Sequence, residues 1–313
     1  MIRALGALGA LALLGACAAT PPAAAPPVYT DLSQAFVDFY DRTEGLDDAA
    51  RLAAFKAQVA PLLPGFYAPR LGRTPEQQDR MTLNAIRRFP EIREKYAATQ
   101  RAFPDAYARA IAHFRQAFPH SDAVLPTYFL HSLGEMDGGT REIGDRTVMV
   151  FGADGIAQYH TPSDIGPFFD HELFHVEHGA HFPECEPVWC ALWTEGLATA
   201  AAEAMNPGID QAGLMLTIPR PIQPEIDADW QAALCLARSR LDSTSREDYA
   251  AMFMGGSAEQ AYPPRWGYYV GFRLAQRVLR EHSLVELAHM PPTQAEPVVR
   301  DELDAMIAEA GGC

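Results

Sequence analysis

The chain of 313 residues is short of positive charge: 25 Lys and Arg stand against 40 Asp and Glu, for a formal net charge of −15. A polyanion needs a basic face, so the balance rules against nucleic acid as the main partner. It also disfavours attachment to an anionic membrane surface through charge. Beyond residue 16 no apolar run reaches the roughly 18 residues that a spanning helix needs. The 23 Gly and 25 Pro follow no period, which excludes collagen-like and repeat architectures. No Gly-x-Ser-x-Gly elbow, Walker loop or dinucleotide fingerprint is present, so those enzyme classes lack their defining residues. What is there is ordinary for a folded chain: 48% apolar and 21% charged residues, with room for one large domain or two small ones.

Cysteine is scarce, and its placement is informative. Arg3 and an apolar run from Ala4 to Ala16 form the pattern of a secretory signal peptide over residues 1–16. The run ends in Leu14-Gly15-Ala16-Cys17, which resembles the bacterial lipobox. That resemblance implies a lipid anchor on Cys17, and Ala18 after it resembles the pattern sent to an outer membrane. The competing reading is an ordinary signal peptide with a chance cysteine. Residues 17–30 then read as the lipidated cysteine and an Ala/Pro-rich tether. The expected location is the bacterial cell envelope, facing the periplasm. Export leaves Cys185, Cys190, Cys235 and Cys313 in an oxidising compartment, where an even count suggests two disulfides. Of three pairings, the closeness of Cys185 and Cys190 favours a local bridge plus Cys235–Cys313. Oxidised or lipidated cysteines also argue against a Cys/His nucleophile.

Residues 31–122 read as a helical N-terminal part. Leu32, Phe36, Phe39 and Tyr40, then Leu52, Phe55, Val59 and Leu62, recur at helical spacing. Thr74-Pro75-Glu76-Gln77 predicts a capped helix start. From residue 123 the pattern changes. Thr127–Leu130 and Thr147–Phe151 are short, β-branched and aromatic, and predict a small antiparallel sheet joined through a turn-rich stretch, residues 134–140. Helical pattern resumes from Pro167 to the end. Thr293-Gln294-Ala295-Glu296 predicts the start of the last helix. The expected fold class is α+β, mainly helical.

The chemistry concentrates in His171-Glu172-Leu173-Phe174-His175, an H-E-x-x-H string in a helical segment rich in Phe. Residues four apart lie on one helical face, so the two imidazoles can converge on one metal ion. Glu172 lies beside the first ligand and can act as general base toward a water at the metal. With 10 His and 20 Glu, chance places only about 0.02 such strings in a chain of this length. The plain alternative is a pair of structural histidines, and a third ligand decides between the two. Two candidates follow. Glu195, in Thr194-Glu195-Gly196-Leu197-Ala198, opens a second helical run that can pack antiparallel to the first. His181 nearly completes H-E-x-x-H-x-x-G-x-x-H, but His178 stands where that pattern needs Gly and Gly179 comes one residue late. That favours Glu195 and leaves His178 and His181 as exposed residues at a frayed helix end, or else as ligands of a second metal or lining of the site rim.

Over residues 165–205 the sequence resembles the gluzincin metallopeptidases, whose third ligand is a Glu on the following helix. It is also similar there to a family of bacterial predicted zinc-dependent proteases. The resemblance implies a zincin-like fold in residues 123–313, with Zn2+ held by His171, His175 and Glu195 and with Glu172 as base. It further implies a strand edge beside the metal helix, where a substrate peptide could add as a strand and Gly138-Gly139-Thr140 would permit close approach of its backbone; the plain alternative for that stretch is a hairpin turn. A downstream Tyr would stabilise the oxyanion: Tyr268 first, Tyr269 second. One departure concerns support for the ligands, because Thr199 replaces the Asp that orients an imidazole in thermolysin-like enzymes. Glu203 or a backbone carbonyl would take its place. The expected activity is zinc-dependent hydrolysis of peptide bonds in a peptide or protein substrate. The alternatives are a non-catalytic envelope lipoprotein that keeps its zinc site, and an amidase acting on cell-wall peptides.

Overall fold

The computed structural model describes residues 29–70, 72–121, 125–161, 165–183, 185–254 and 261–313. The expected signal peptide, Cys17 and the stretch 18–27 lie outside the described residues. A two-residue strand β1 (Thr30–Asp31) leads into helices α1 (Ser33–Arg42) and α2 (Asp48–Gln58), and then into α3 (Pro75–Ala117). The expected cap of α3 is formed: Gln77 N–H donates to Thr74 Oγ1 at 3.3 Å and Thr74 N–H donates to Gln77 Oε1 at 2.7 Å. This helix continues for 43 residues through Pro90 and Pro104. Each proline removes one helical hydrogen bond, and both rings stand on the exposed face of the helix. The opposite face buries Phe89, Tyr96, Phe103, Tyr107 and Phe114. Phe103 stacks on Phe129 of the sheet with ring centroids 3.8 Å apart.

Strands β2 (Thr127–Leu130), β3 (Thr140–Ile143) and β4 (Arg146–Gly152) complete a four-stranded sheet of order β1-β2-β4-β3. The sheet is mixed, which corrects the antiparallel expectation. Thr127–Leu130 pairs parallel with β4, and only β3 runs antiparallel. The reason is the unanticipated strand β3. After β2 the chain crosses the end of the sheet, descends as β3 on the outer edge, and returns as β4 between the two. Reaching over one strand position spans about 9.6 Å, two inter-strand spacings, which residues 131–139 cover easily.

Helices fill the rest: α4 (Ala153–Tyr159), α5 (Ile165–Gly179), α6 (Val188–Met205), α7 (Gln223–Ala228), α8 (Trp230–Arg240), α9 (Arg246–Phe253), α10 (Trp266–Val278), α11 (Leu284–Ala288) and α12 (Pro292–Glu309). The chain is therefore α+β and mainly helical. The capping box expected at Thr293 does not form. Pro291 and Pro292 start α12 with no side-chain cap, the fixed proline φ serving instead, and Glu296 pairs with Arg300 at 2.8 Å. Packing runs from α3 to α5, α6, α10 and α12, and one apolar cluster extends from Phe36 to Ile307. Both disulfides pair as expected. Cys185–Cys190 staples the approach to α6, and Cys235–Cys313 ties the C-terminus to α8. Among the described residues no helix is long and apolar enough to cross a membrane.

Candidate active site

Helices α5 and α6 carry the motif residues, and close packing sets their separation from the rest of the core. Helix α6 buries residues on every side, including Gly196 and the run Leu197–Ala202. At Gly196 it crosses α10 with almost no gap. A Cβ on Gly196 would lie 2.2 Å from the Gly271 carbonyl carbon, and one on Gly271 would lie 2.2 Å from the Leu192 oxygen. Only glycine at both positions permits this backbone contact, which brings Tyr268 on α10 alongside Glu195 on α6. Gly271, three residues after Tyr268, thus admits the facing helix.

The structure brings His171, His175 and Glu195 together. His175 Nε2 lies 3.1 Å from His171 Nε2 and 3.2 Å from Glu195 Oε2, and His171 Nε2 lies 3.5 Å from the same oxygen. Donors about 2.05 Å from a zinc-sized ion in tetrahedral array stand about 3.3 Å apart, so the triangle fits such an ion. The donor chemistry fits as well: two imidazole nitrogens and a carboxylate oxygen face one another where one cation would satisfy all three. Burial draws the His171 imidazole down to about 4. Burial alone would lower His175 too, but the Glu195 carboxylate outweighs it and pushes that ring up to about 9. Glu195 also loses hydration, yet the two imidazoles hold its carboxyl well below the usual carboxylate range.

Glu172 borders the same cleft, whose volume is about 810 Å3. Burial, with the Asp137 and Glu195 charges, outweighs the attraction of His175 and pushes its carboxyl up to about 7. Gly138 packs directly on it: a Cβ there would lie 2.9 Å from Glu172 Cγ and 2.7 Å from Phe168. The missing Cβ at Gly138 thus makes room for side chains of the motif helix. Asp154 holds the start of this loop, accepting from Ser132 N–H and Gly134 N–H, each at 2.6 Å. Further along the same loop, Asp137 accepts from His160 Nε2 at 2.7 Å.

Tyr268 lines the cleft with its ring 6.4 Å from His171 and nearly parallel to it. Burial and then Glu195 push its phenol well above the ordinary value. Tyr269 is placed elsewhere: its hydroxyl donates to Asp227 at 2.7 Å and accepts from Arg273. Sequence reasoning missed Arg265, Tyr249 and the Asp137–His160 pair. Arg265 adopts a left-handed φ of 67°, uncommon for a side chain of its size. Its guanidinium lies 4.4 Å over the Tyr268 ring and donates to the Met215 carbonyl. None of these residues belongs to a motif.

The supporting contacts correct two expectations. Among the described residues Glu203 makes no hydrogen bond to His171 or His175; it accepts from Gln276 at 2.7 Å. Thr199 donates back to the Glu195 carbonyl, and His171 Nδ1 is buried with no partner among the described residues. His178 is not exposed. Its ring is 1% accessible between Phe174 and Phe182, and its Nδ1–H donates to the Ala288 carbonyl at 2.8 Å. His181 is exposed and stands apart from His171, in a separate group with Glu177 and His289. Beneath the site, the fully buried Asp170 accepts from His113 at 3.0 Å and from Asn206 at 2.7 Å, locking α3, α5 and the end of α6 together. Comparison with protein-family models, with curated proteins and with solved structures returned no match.

Proposed function

We propose that the chain is a zincin-like, zinc-dependent peptidase of the bacterial cell envelope, exported and lipid-anchored through Cys17. The observation that carries this reading is the donor triangle of His171, His175 and Glu195, with edges of 3.1–3.5 Å and Glu172 on the same cleft wall. A bound zinc ion supplies Lewis acidity to a carbonyl oxygen and makes water a stronger acid. Glu172 takes the proton from the attacking water and passes it to the leaving amine as the carbon–nitrogen bond breaks. The products are a carboxylate and an amine. Burial raises the Glu172 carboxyl above the ordinary carboxylate range, which makes it a stronger base toward the water. The Tyr268 hydroxyl donates to the oxygen that gains negative charge, and Arg265 above its ring favours that charge. The free edge of β3, whose Thr140 and Arg141 line the cleft, suits an extended peptide bound as an added strand.

The test is Glu172→Gln assayed on a mixture of unfolded proteins. General acid–base catalysis contributes roughly 10²- to 10⁴-fold. The variant should keep its metal and lose hydrolysis on that scale. Unchanged hydrolysis would refute the mechanism. A metal-loaded parent with no turnover on any peptide would favour a non-catalytic lipoprotein.

A further inference from the structure

A second convergence of metal-binding side chains lies at the far end of α5. Glu177 and His181 are four residues apart across the last turn of that helix, and His289 follows directly after α11. The donor atoms of the three lie within 4.8 Å of one another. His289 Nε2 is 2.7 Å from Glu177 Oε1, and the His181 and His289 rings are 4.0 Å apart. We propose that these residues form a second divalent-metal site that clamps the end of the motif helix to α11.

Three observations point the same way. Glu177 is only 5% exposed, and a buried carboxylate is costly unless a cation faces it. The clamp joins elements already in register, since His178 on α5 is bonded to the Ala288 carbonyl at the end of α11. The geometry also closes with little movement. Donors around a zinc-sized ion stand about 3.3 Å apart, so the widest pair needs to approach by no more than about 1.5 Å. His181 and His289 are exposed and can rotate to do so, while Glu177 stays fixed. Two imidazoles with one carboxylate suit Zn2+, Co2+ or Ni2+ rather than Ca2+ or Mg2+, and solvent completes the shell. None of the three residues belongs to the His171–His175–Glu195 triangle, so the two sites stand or fall separately.

The experiment titrates metal-free protein with Co2+ and with Zn2+, followed by calorimetry and cobalt absorption. The parent should bind two equivalents. The His181→Ala/His289→Ala variant, altered only at exposed positions, should bind one. Glu195→Ala should also bind one, and that ion should raise its melting temperature unless His181 and His289 are replaced too. The same stoichiometry in the parent and in His181→Ala/His289→Ala would overturn the proposal. A Glu195→Ala variant that still loses one equivalent on replacing His181 and His289 would support it, whatever becomes of the first site.

Discussion

Gly196→Ala tests how helix packing sets the site. The added Cβ would stand 2.2 Å from the Gly271 carbonyl carbon and 2.4 Å from its oxygen, against about 3.4 Å for ordinary contact. Both obstacles are backbone, so α6 and α10 must part by about 1 Å. Overpacking of this kind costs roughly 1–3 kcal/mol, and the rigid obstacle places this case near 3 kcal/mol. For a chain of this size, at about 2.1 cal/mol/K of unfolding entropy per residue, that lowers the melting temperature by about 5 °C. Glu195 is the adjacent residue, so a displaced α6 shifts its carboxylate relative to the two imidazoles on α5, and zinc affinity should fall by at least about tenfold, or 1.4 kcal/mol. Thermal melts with and without zinc read both effects. Gly166→Ala is the control, because its Cβ would meet nothing within 4 Å in the first turn of α5. A Gly196→Ala protein that melts and binds zinc as the parent does would refute the account of the α6–α10 crossing.

Two further outcomes follow from buried polar groups. Asp170→Ala leaves His113 and Asn206 without their buried acceptor and should cost about 3 kcal/mol, read by urea unfolding; a loss under 1 kcal/mol would mean that the network does not hold α5 in place. Burial draws His178 down to about 4 from an ordinary value near 6.5, so the native state binds fewer protons than the unfolded chain between those values. Its contribution is complete above pH 6.5 and is lost as pH falls toward 4, by up to roughly 3 kcal/mol. His178→Gln should flatten that part of the stability–pH curve, and an unchanged slope would contradict the assignment.

What was legible in the sequence is what local spacing encodes. The i, i+4 histidines, the Thr74 capping box and the Cys185–Cys190 bridge all depend on residues near one another in the chain, whereas α6 starts at Val188, ahead of the Glu195 stretch expected to open it. Strand β3 escaped because Thr140–Ile143 is an exposed edge with charged residues at its centre, so it carries no apolar alternation. The parallel pairing of β2 and β4 escaped because strand pattern does not encode strand order. His178 looked exposed because of its neighbours His181 and Gly179, although Phe174 and Phe182 at i±4 mark its face as buried. Arg265 and the Asp137–His160 pair reach the cleft through tertiary contacts that have no sequence signature.

The central claim is that Glu195 completes a metal site with His171 and His175. Elemental mass spectrometry of zinc per chain tests it most directly in the His181→Ala/His289→Ala background, which removes both the second cluster and the rival ligand. The account predicts about one zinc per chain in that background and none once Glu195→Ala is added. A background protein that is folded but empty when zinc is supplied, or one that keeps its zinc after Glu195→Ala, would contradict it.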